Sequence, residues 1–158
     1  MKYIDLTQAM QTLIDDEDFE RSNKHKWCAS KNPDGSYVAV RSIATKKGRR
    51  LILMHREIMN APKGLLVDHR NHNTLDNRKS NLRICTNAEN CRNKRVKEGY
   101  SSKCKGVHWN KLNKNWRARI MVNYIKKELG SFTDEKDAAQ AYNEAALKYF
   151  GEFALLNT

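Results

Sequence analysis

No apolar run in the sequence approaches the ~20 residues that a membrane-crossing helix needs, and the first residues lack the apolar core of a secretory signal. The expected location is therefore cytoplasmic, with no membrane partner. Cysteine is sparse: Cys28, Cys85, Cys91 and Cys104 show no CxxC spacing. A reducing compartment disfavours disulfides between them, and a structural zinc on four scattered thiols is not expected. They read as small buried thiols. Acid is short as well. Asp plus Glu number 18 against 30 for Lys plus Arg, giving +12 and a pI near 9.7. The imbalance runs through the whole chain, with 20 basic against 12 acidic residues in 1–100 and 10 against 6 in 101–158. A charge excess of that size points to a polyanionic partner. With 158 residues, the chain has room for one ordinary domain or two small ones.

What is present centres on Val67 to Asn90, VDHRNHNTLDNRKSNLRICTNAEN. The run LLVDH reads as a strand entering a polar loop, and LRIC as a second short strand. Thr86-Asn87-Ala88-Glu89 has the form of a capping box that opens a helix. The unit predicted is ββα. It sets Asp68 beside His69 and places Asn81 before the second strand and Asn90 in the first turns of the helix. Neighbours in a regular strand face opposite ways. Asp68 and His69 can share one site only if the strand ends there.

This segment, from about His55 to Asn93, resembles the His-Asn-His (HNH, ββα-metal) endonuclease motif in the form carried by phage and intron homing endonucleases. The resemblance implies that His69 is the general base that activates water. It implies that Asn81 is the central Asn, bracing the loop, and that Asp68 and Asn90 are metal ligands. The third letter is Asn here instead of His. An oxygen-rich pair with open positions suits Mg²⁺ or Mn²⁺ better than zinc. The chemistry needs these groups: a cation offsets charge on a scissile phosphate, and a neutral imidazole accepts a proton from water. Arg70, Arg78 and Arg83 crowd the same stretch and are expected on the DNA backbone. His55 could approach the site or simply pack. His72 reads more as loop structure than as a ligand.

The first sixty residues read as a β-rich platform. Tyr3–Leu6 is a short strand, and DDEDFERSNKHK is a charged turn or one short helix. KWCAS and SYVAVRS are strands joined at Asn32-Pro33-Asp34-Gly35. ATKKGRR is a basic turn leading into an apolar strand LILMH. Residues 91–104 are polar and basic and have no core pattern. The division predicted is a nuclease domain 1–97, a linker 98–104 and a second domain 105–158.

In the second domain KGVHW, NWRARIMV and IKKELGSF read as three strands and TDEKDAAQAYNEAALKYF as one helix, capped by Thr133 and closed by Gly151. Ala138, Tyr142, Ala145 and Tyr149 form its apolar stripe. The middle strand alternates. Trp116, Ala118, Ile120 and Val122 should pack on the helix, leaving Arg117, Arg119, Met121 and Asn123 on an open basic face. Trp109 could be core or stacking surface. Residues 102–157 resemble the ethylene-response-factor-type (Apetala-two) DNA-binding domain, through KGVHW, WRARI, LGSF, DAAQAYNEAALKYFG and FALLN. That family lays a three-stranded sheet in the major groove. The resemblance implies that Lys105, His108, Asn110, Arg117, Arg119, Met121, Lys126 and Glu128 face DNA, with Lys114 flanking them. His108, Asn110 and Met121 stand where the plant domains have arginine, so base preference does not carry over.

The fold class expected is α+β: a β-rich platform with a ββα-metal core, then a three-stranded antiparallel sheet packed on one helix. The function expected is a metal-dependent endonuclease that hydrolyses a phosphodiester at a preferred site in double-stranded DNA. With one Asp68–His69 pair and no internal repeat, it should be a monomer that nicks one strand. The competing readings are a non-enzymatic DNA-binding regulator with a decayed nuclease and an RNA-directed or structural nucleic-acid protein. The intact residues Asp68, His69, Asn81 and Asn90 argue against decay.

Overall fold

The structure, a computed structural model, describes residues 1–96 and 99–158. The class is α+β, built from small antiparallel sheets and few helices. The chain divides into two compact units, Met1–Asn87 and Ala88–Thr158. The domain boundary predicted at 97 and 98 lies outside the described residues.

In the first unit, β1 (Lys2–Asp5) pairs with β2 (Gln11–Ile14), and α1 (Asp16–Asn23) follows. The charged stretch is thus a helix, with Asp16, Glu17 and Asp18 at its positive N-terminal end. β3 (Cys28–Lys31), β4 (Tyr37–Thr45) and β5 (Gly48–Leu53) form one sheet in that order. The Asn32–Gly35 turn closes with Asn32 N–H donating to Ser36 O at 2.8 Å. Gly35 there has φ +88, a conformation that favours glycine. The strand expected through LILMH stops at Leu53, and Met54–Ile58 is instead a short helix, α2. That helix buries Met54, His55 and Ile58 on one side, a helical spacing that a five-letter apolar run does not reveal. β6 (Leu66–His69) and β7 (Leu82–Cys85) make the last hairpin, with Asp68 opposite Arg83 and His69 opposite Leu82.

One core joins these pieces. Ile4, Leu6, Ile14, Trp27, Met54, Ile58 and Leu82 are buried together. β2 also pins the loop between β6 and β7. Leu13 N–H donates to Leu75 O at 2.9 Å, and Asn77 N–H to Leu13 O at 2.8 Å.

The second unit opens within α3 (Asn87–Arg92) and contains β8 (Val107–Asn110), β9 (Asn115–Val122) and β10 (Ile125–Phe132), ordered β10-β9-β8 and all antiparallel. α4 (Glu135–Phe150) lies on one face of this sheet. Its N-cap is Asp134, not Thr133: the Asp134 carboxylate accepts from Lys136 N–H at 2.7 Å. The buried stripe is Ala138, Ala139, Tyr142, Ala145, Ala146 and Phe150. Tyr149, expected within it, is exposed, because the stripe drifts around the helix and Phe150 takes the last core position. On the sheet, Ala118 and Ile120 are buried and Trp116 and Val122 pack beside them. Gly106 has no room for a side chain: a Cβ there would meet the Tyr142 ring at 2.1 Å. Cys28 and Cys91 are exposed, so these two are not the buried thiols expected.

Candidate active site

β6 ends at His69, and the polar loop that follows folds back through its own amides. The Asn81 side chain ties that loop at both ends. Its Oδ1 accepts from Asn71 N–H at 3.0 Å, and its Nδ2 donates to Asp76 O at 2.8 Å. The Asn81 carbonyl also accepts from Arg70 N–H at 2.9 Å, so the residue grips the exit of β6. His72 sits within the loop at φ +63 and donates its N–H to His69 O.

Asp68 and His69 are both buried, at 8 % and 6 % exposure, and their side chains find different partners. The Asp68 Oδ2 accepts from Arg83 Nε at 2.9 Å and from Arg83 Nη2 at 2.7 Å. The His69 Nε2 lies 3.1 Å from Asn77 Oδ1. Burial lowers the His69 pKa below its ordinary value. The hydrogen bond to Asn77 and the carboxylates of Asp68 and Asp76 push the other way without cancelling the effect. The imidazole is therefore neutral at pH 7, as a base must be.

His55, carried by α2, sets its ring edge-on to His69, with centroids 5.1 Å apart and planes at 83°. Its Nδ1 is buried without a hydrogen-bond partner. Burial first, then the charges of His69 and Arg56, lower its pKa to about 3. The sequence left open whether His55 packs or approaches the site; in the structure its ring is buried and packs against His69.

Three basic residues expected on DNA are engaged inside the protein. Arg83 is buried on Asp68 because the β6–β7 register puts the two opposite each other. Arg78 donates to both oxygens of buried Asp76, at 2.7 and 2.6 Å, and its hydrogen bonds hold that carboxyl below the usual range. In the second unit Lys105 donates from Nζ to the carbonyls of Arg92 at 2.5 Å and Lys94 at 2.8 Å, and burial lowers its pKa to about 8. It closes the C-terminal end of α3, where cations are favoured. Arg70 remains exposed at the mouth of the loop.

Asn90 lies half-buried on α3. On the face of the β8–β10 sheet away from α4, Arg119, Met121, Lys126 and Glu128 are exposed and His108, Asn110 and Arg117 half-exposed. Lys114 stands exposed in the β8–β9 turn. Arg117 Nη2 is 3.4 Å from Glu128. Burial, together with Arg119, lowers the pKa of His108. Trp109 packs edge-on against Trp116 at 5.1 Å while staying partly exposed.

Sequence reasoning missed Asn77, Thr12 and Asp76, which support the loop from beneath. It also passed over the basic cluster at the β4–β5 turn and the start of β5, where Lys46, Lys47, Arg49 and Arg50 are all exposed. The signal there was the charge run itself.

Among the described residues no three His, Cys, Asp or Glu side chains gather as a cage built entirely by the protein would require. The donor set fits another kind of site. A hard dication such as Mg²⁺ keeps several waters and takes one or two protein oxygens plus substrate phosphate. A buried carboxylate, fixed in orientation by two guanidinium nitrogens, is such a donor.

A family model described as HNH endonuclease matches residues 60–92, the stretch holding β6, the loop, β7 and α3. The chain is also 35 % identical, over 135 residues, to an uncharacterized HNH endonuclease of Acanthamoeba polyphaga mimivirus. That match spans 85 % of this chain and 68 % of the viral protein. The chain belongs to the HNH endonuclease family, and it is a nuclease. No solved structure matches it. No helix among the described residues is long and apolar enough to cross a membrane.

Proposed function

We propose that this nuclease is a metal-dependent endonuclease of the homing type that hydrolyses a phosphodiester at a preferred site in duplex DNA and nicks one strand. The observation that carries the reading is the buried, neutral His69 held by Asn77 beside the Arg83-bound Asp68. Asp68 and Asn90 would hold one divalent ion, Mg²⁺ or Mn²⁺, which when bound offsets negative charge on the scissile phosphate and the leaving oxygen. His69 takes a proton from water. The water oxygen forms the new bond to phosphorus, the ester bond on the far side breaks, and the leaving oxygen takes its proton from solvent. Asn81 keeps the loop in place while this happens.

The β8–β10 sheet would hold the DNA in the manner of the ethylene-response-factor-type domains. His108, Asn110, Lys114, Arg117, Arg119, Met121 and Lys126 would lie toward the duplex. What supports this is an open, mostly basic face whose opposite side is occupied by α4. Arg70 would reach the backbone near the scissile bond. The test is a cleavage assay on supercoiled plasmid libraries with the full chain, with Mg²⁺ or with chelator. Open circles should form only with the metal, and His69→Ala should cut about two to four orders of magnitude more slowly while still binding DNA. Near-normal cleavage by His69→Ala would overturn the assignment of the base.

A further inference from the structure

His69 can act as a base through only one of its two ring nitrogens, and a chain of buried hydrogen bonds decides which. The chain begins at Leu75 O, which can only accept. Thr12 Oγ1 lies 2.8 Å from it and 2.7 Å from Asn77 Nδ2, and the Thr12 hydroxyl has a single proton. If that proton went to Asn77, the hydroxyl oxygen and the Leu75 carbonyl would face each other at 2.8 Å with nothing between them. The hydroxyl therefore donates to Leu75 O and accepts from the Asn77 amide. This fixes the Asn77 side chain: its Nδ2 faces Thr12, with Met54 Sδ at 3.7 Å as a further weak acceptor, and its Oδ1 faces His69.

An amide oxygen can only accept, so the hydrogen bond at 3.1 Å requires the proton on His69 Nε2. In a neutral imidazole the other nitrogen, Nδ1, then carries none. Thr12 is 0 % and Asn77 1 % exposed, so water does not compete for these groups. Their backbones are held as well, by Leu13 N–H on Leu75 O and Asn77 N–H on Leu13 O. A residue from the first hairpin thus sets the proton position of a residue 57 positions later in the chain.

We infer that Thr12 and Asn77 are positioning residues that lock His69 as its Nε2–H tautomer, making Nδ1 the nitrogen that takes the proton from water. The inference rests on His69 being the base. Tautomer can be read without activity: ¹⁵N resonances of histidine-labelled full chain at pH 8, assigned with His69→Ala, separate a protonated ring nitrogen from a bare one. In the wild type, His69 Nε2 should be protonated and Nδ1 bare. Thr12→Val, which keeps the shape and loses the hydroxyl, frees the Asn77 amide to turn. It should give a mixture of tautomers and lower kcat about 10- to 100-fold with little change in KM for DNA. Thr12→Ser should restore the single tautomer. A wild-type His69 protonated at Nδ1 overturns the inference even if His69→Ala is inactive, and so does unchanged kcat in a Thr12→Val protein whose tautomers are mixed. An active His69→Ala with the Nε2–H tautomer intact in the wild type would overturn instead the assignment of the base.

Discussion

Arg83 grips a single oxygen of Asp68 through two nitrogens, Nε at 2.9 Å and Nη2 at 2.7 Å, with both side chains buried. The pair sits across the β6–β7 hairpin, directly in register. Such a pair contributes little net stability against an apolar pair of the same shape, but losing one partner strands a charge. Arg83→Met should therefore destabilise the first unit by about 3–5 kcal/mol. The double variant Asp68→Leu with Arg83→Met should recover much of that loss while remaining inactive. Urea unfolding measures both. A single variant within about 1 kcal/mol of wild type would show that the guanidinium is not needed to hold Asp68.

His55 makes the fold acid-sensitive. Its pKa is about 3 in the folded protein against 6.5 ordinarily. Below 6.5 the unfolded chain takes up a proton that the folded chain refuses, so this contribution is full above about 6.5 and is lost as the pH falls toward about 3. At about 1.4 kcal/mol per pKa unit, wild type should lose roughly 2–3 kcal/mol from this residue between about pH 7 and about pH 4.5. His55→Gln should lose correspondingly less over the same interval, even if it is weaker at neutral pH. Equal losses in the two proteins would mean that His55 protonates normally in the fold.

The sequence disclosed the class, the strand–loop–strand–helix order around Asp68 and His69, and the alternating faces of Asn115–Val122, because each rests on a short-range periodicity or a turn residue. It did not disclose which polar loop residue lies buried. Asn71, Asn73, Asn77 and Asn81 look alike in sequence, yet only Asn77 and Asn81 are buried, and Asn77 is selected by Thr12, 65 residues away. The arginines misled for the same reason. Arg78 and Arg83 are drawn inward by Asp76 and Asp68, partners that a charge count treats as independent. His55 was placed in a strand because five apolar letters fit either period.

Arg117 and Arg119 should behave differently from Lys105 on DNA. The first two stand on the open face of β9, whereas the Lys105 ammonium is committed to carbonyls around the end of α3. Arg117→Ala with Arg119→Ala should weaken binding and flatten its dependence on salt by up to about two units of slope, roughly one for each phosphate no longer neutralised. Lys105→Met should leave the slope unchanged and lower thermal stability instead. Fluorescence anisotropy across a salt series separates the two effects. An unchanged slope in the double arginine variant would remove the open sheet face as the DNA surface.

The number of strands cut follows from the number of sites. Among the described residues there is one buried Asp–His pair of this kind, Asp68–His69, on one hairpin. One such site has one phosphodiester within reach, so cutting both strands requires two copies or a second binding event in the opposite sense. A stable pair of copies normally hides an apolar face. Among the large exposed apolar side chains of the second unit, Leu112, Tyr124 and Ile125 stand at hairpin turns among Lys111, Lys114, Lys126 and Lys127, and Tyr100, Met121 and Leu147 lie elsewhere. Isolated exposed residues of that kind are ordinary for a monomer. The expected behaviour is a single chain by light scattering and, on supercoiled plasmid carrying its site, open circles that accumulate well before any linear product. Linear plasmid forming first, with a rate that rises as the square of protein concentration, would mean that two copies assemble on the DNA and cut together.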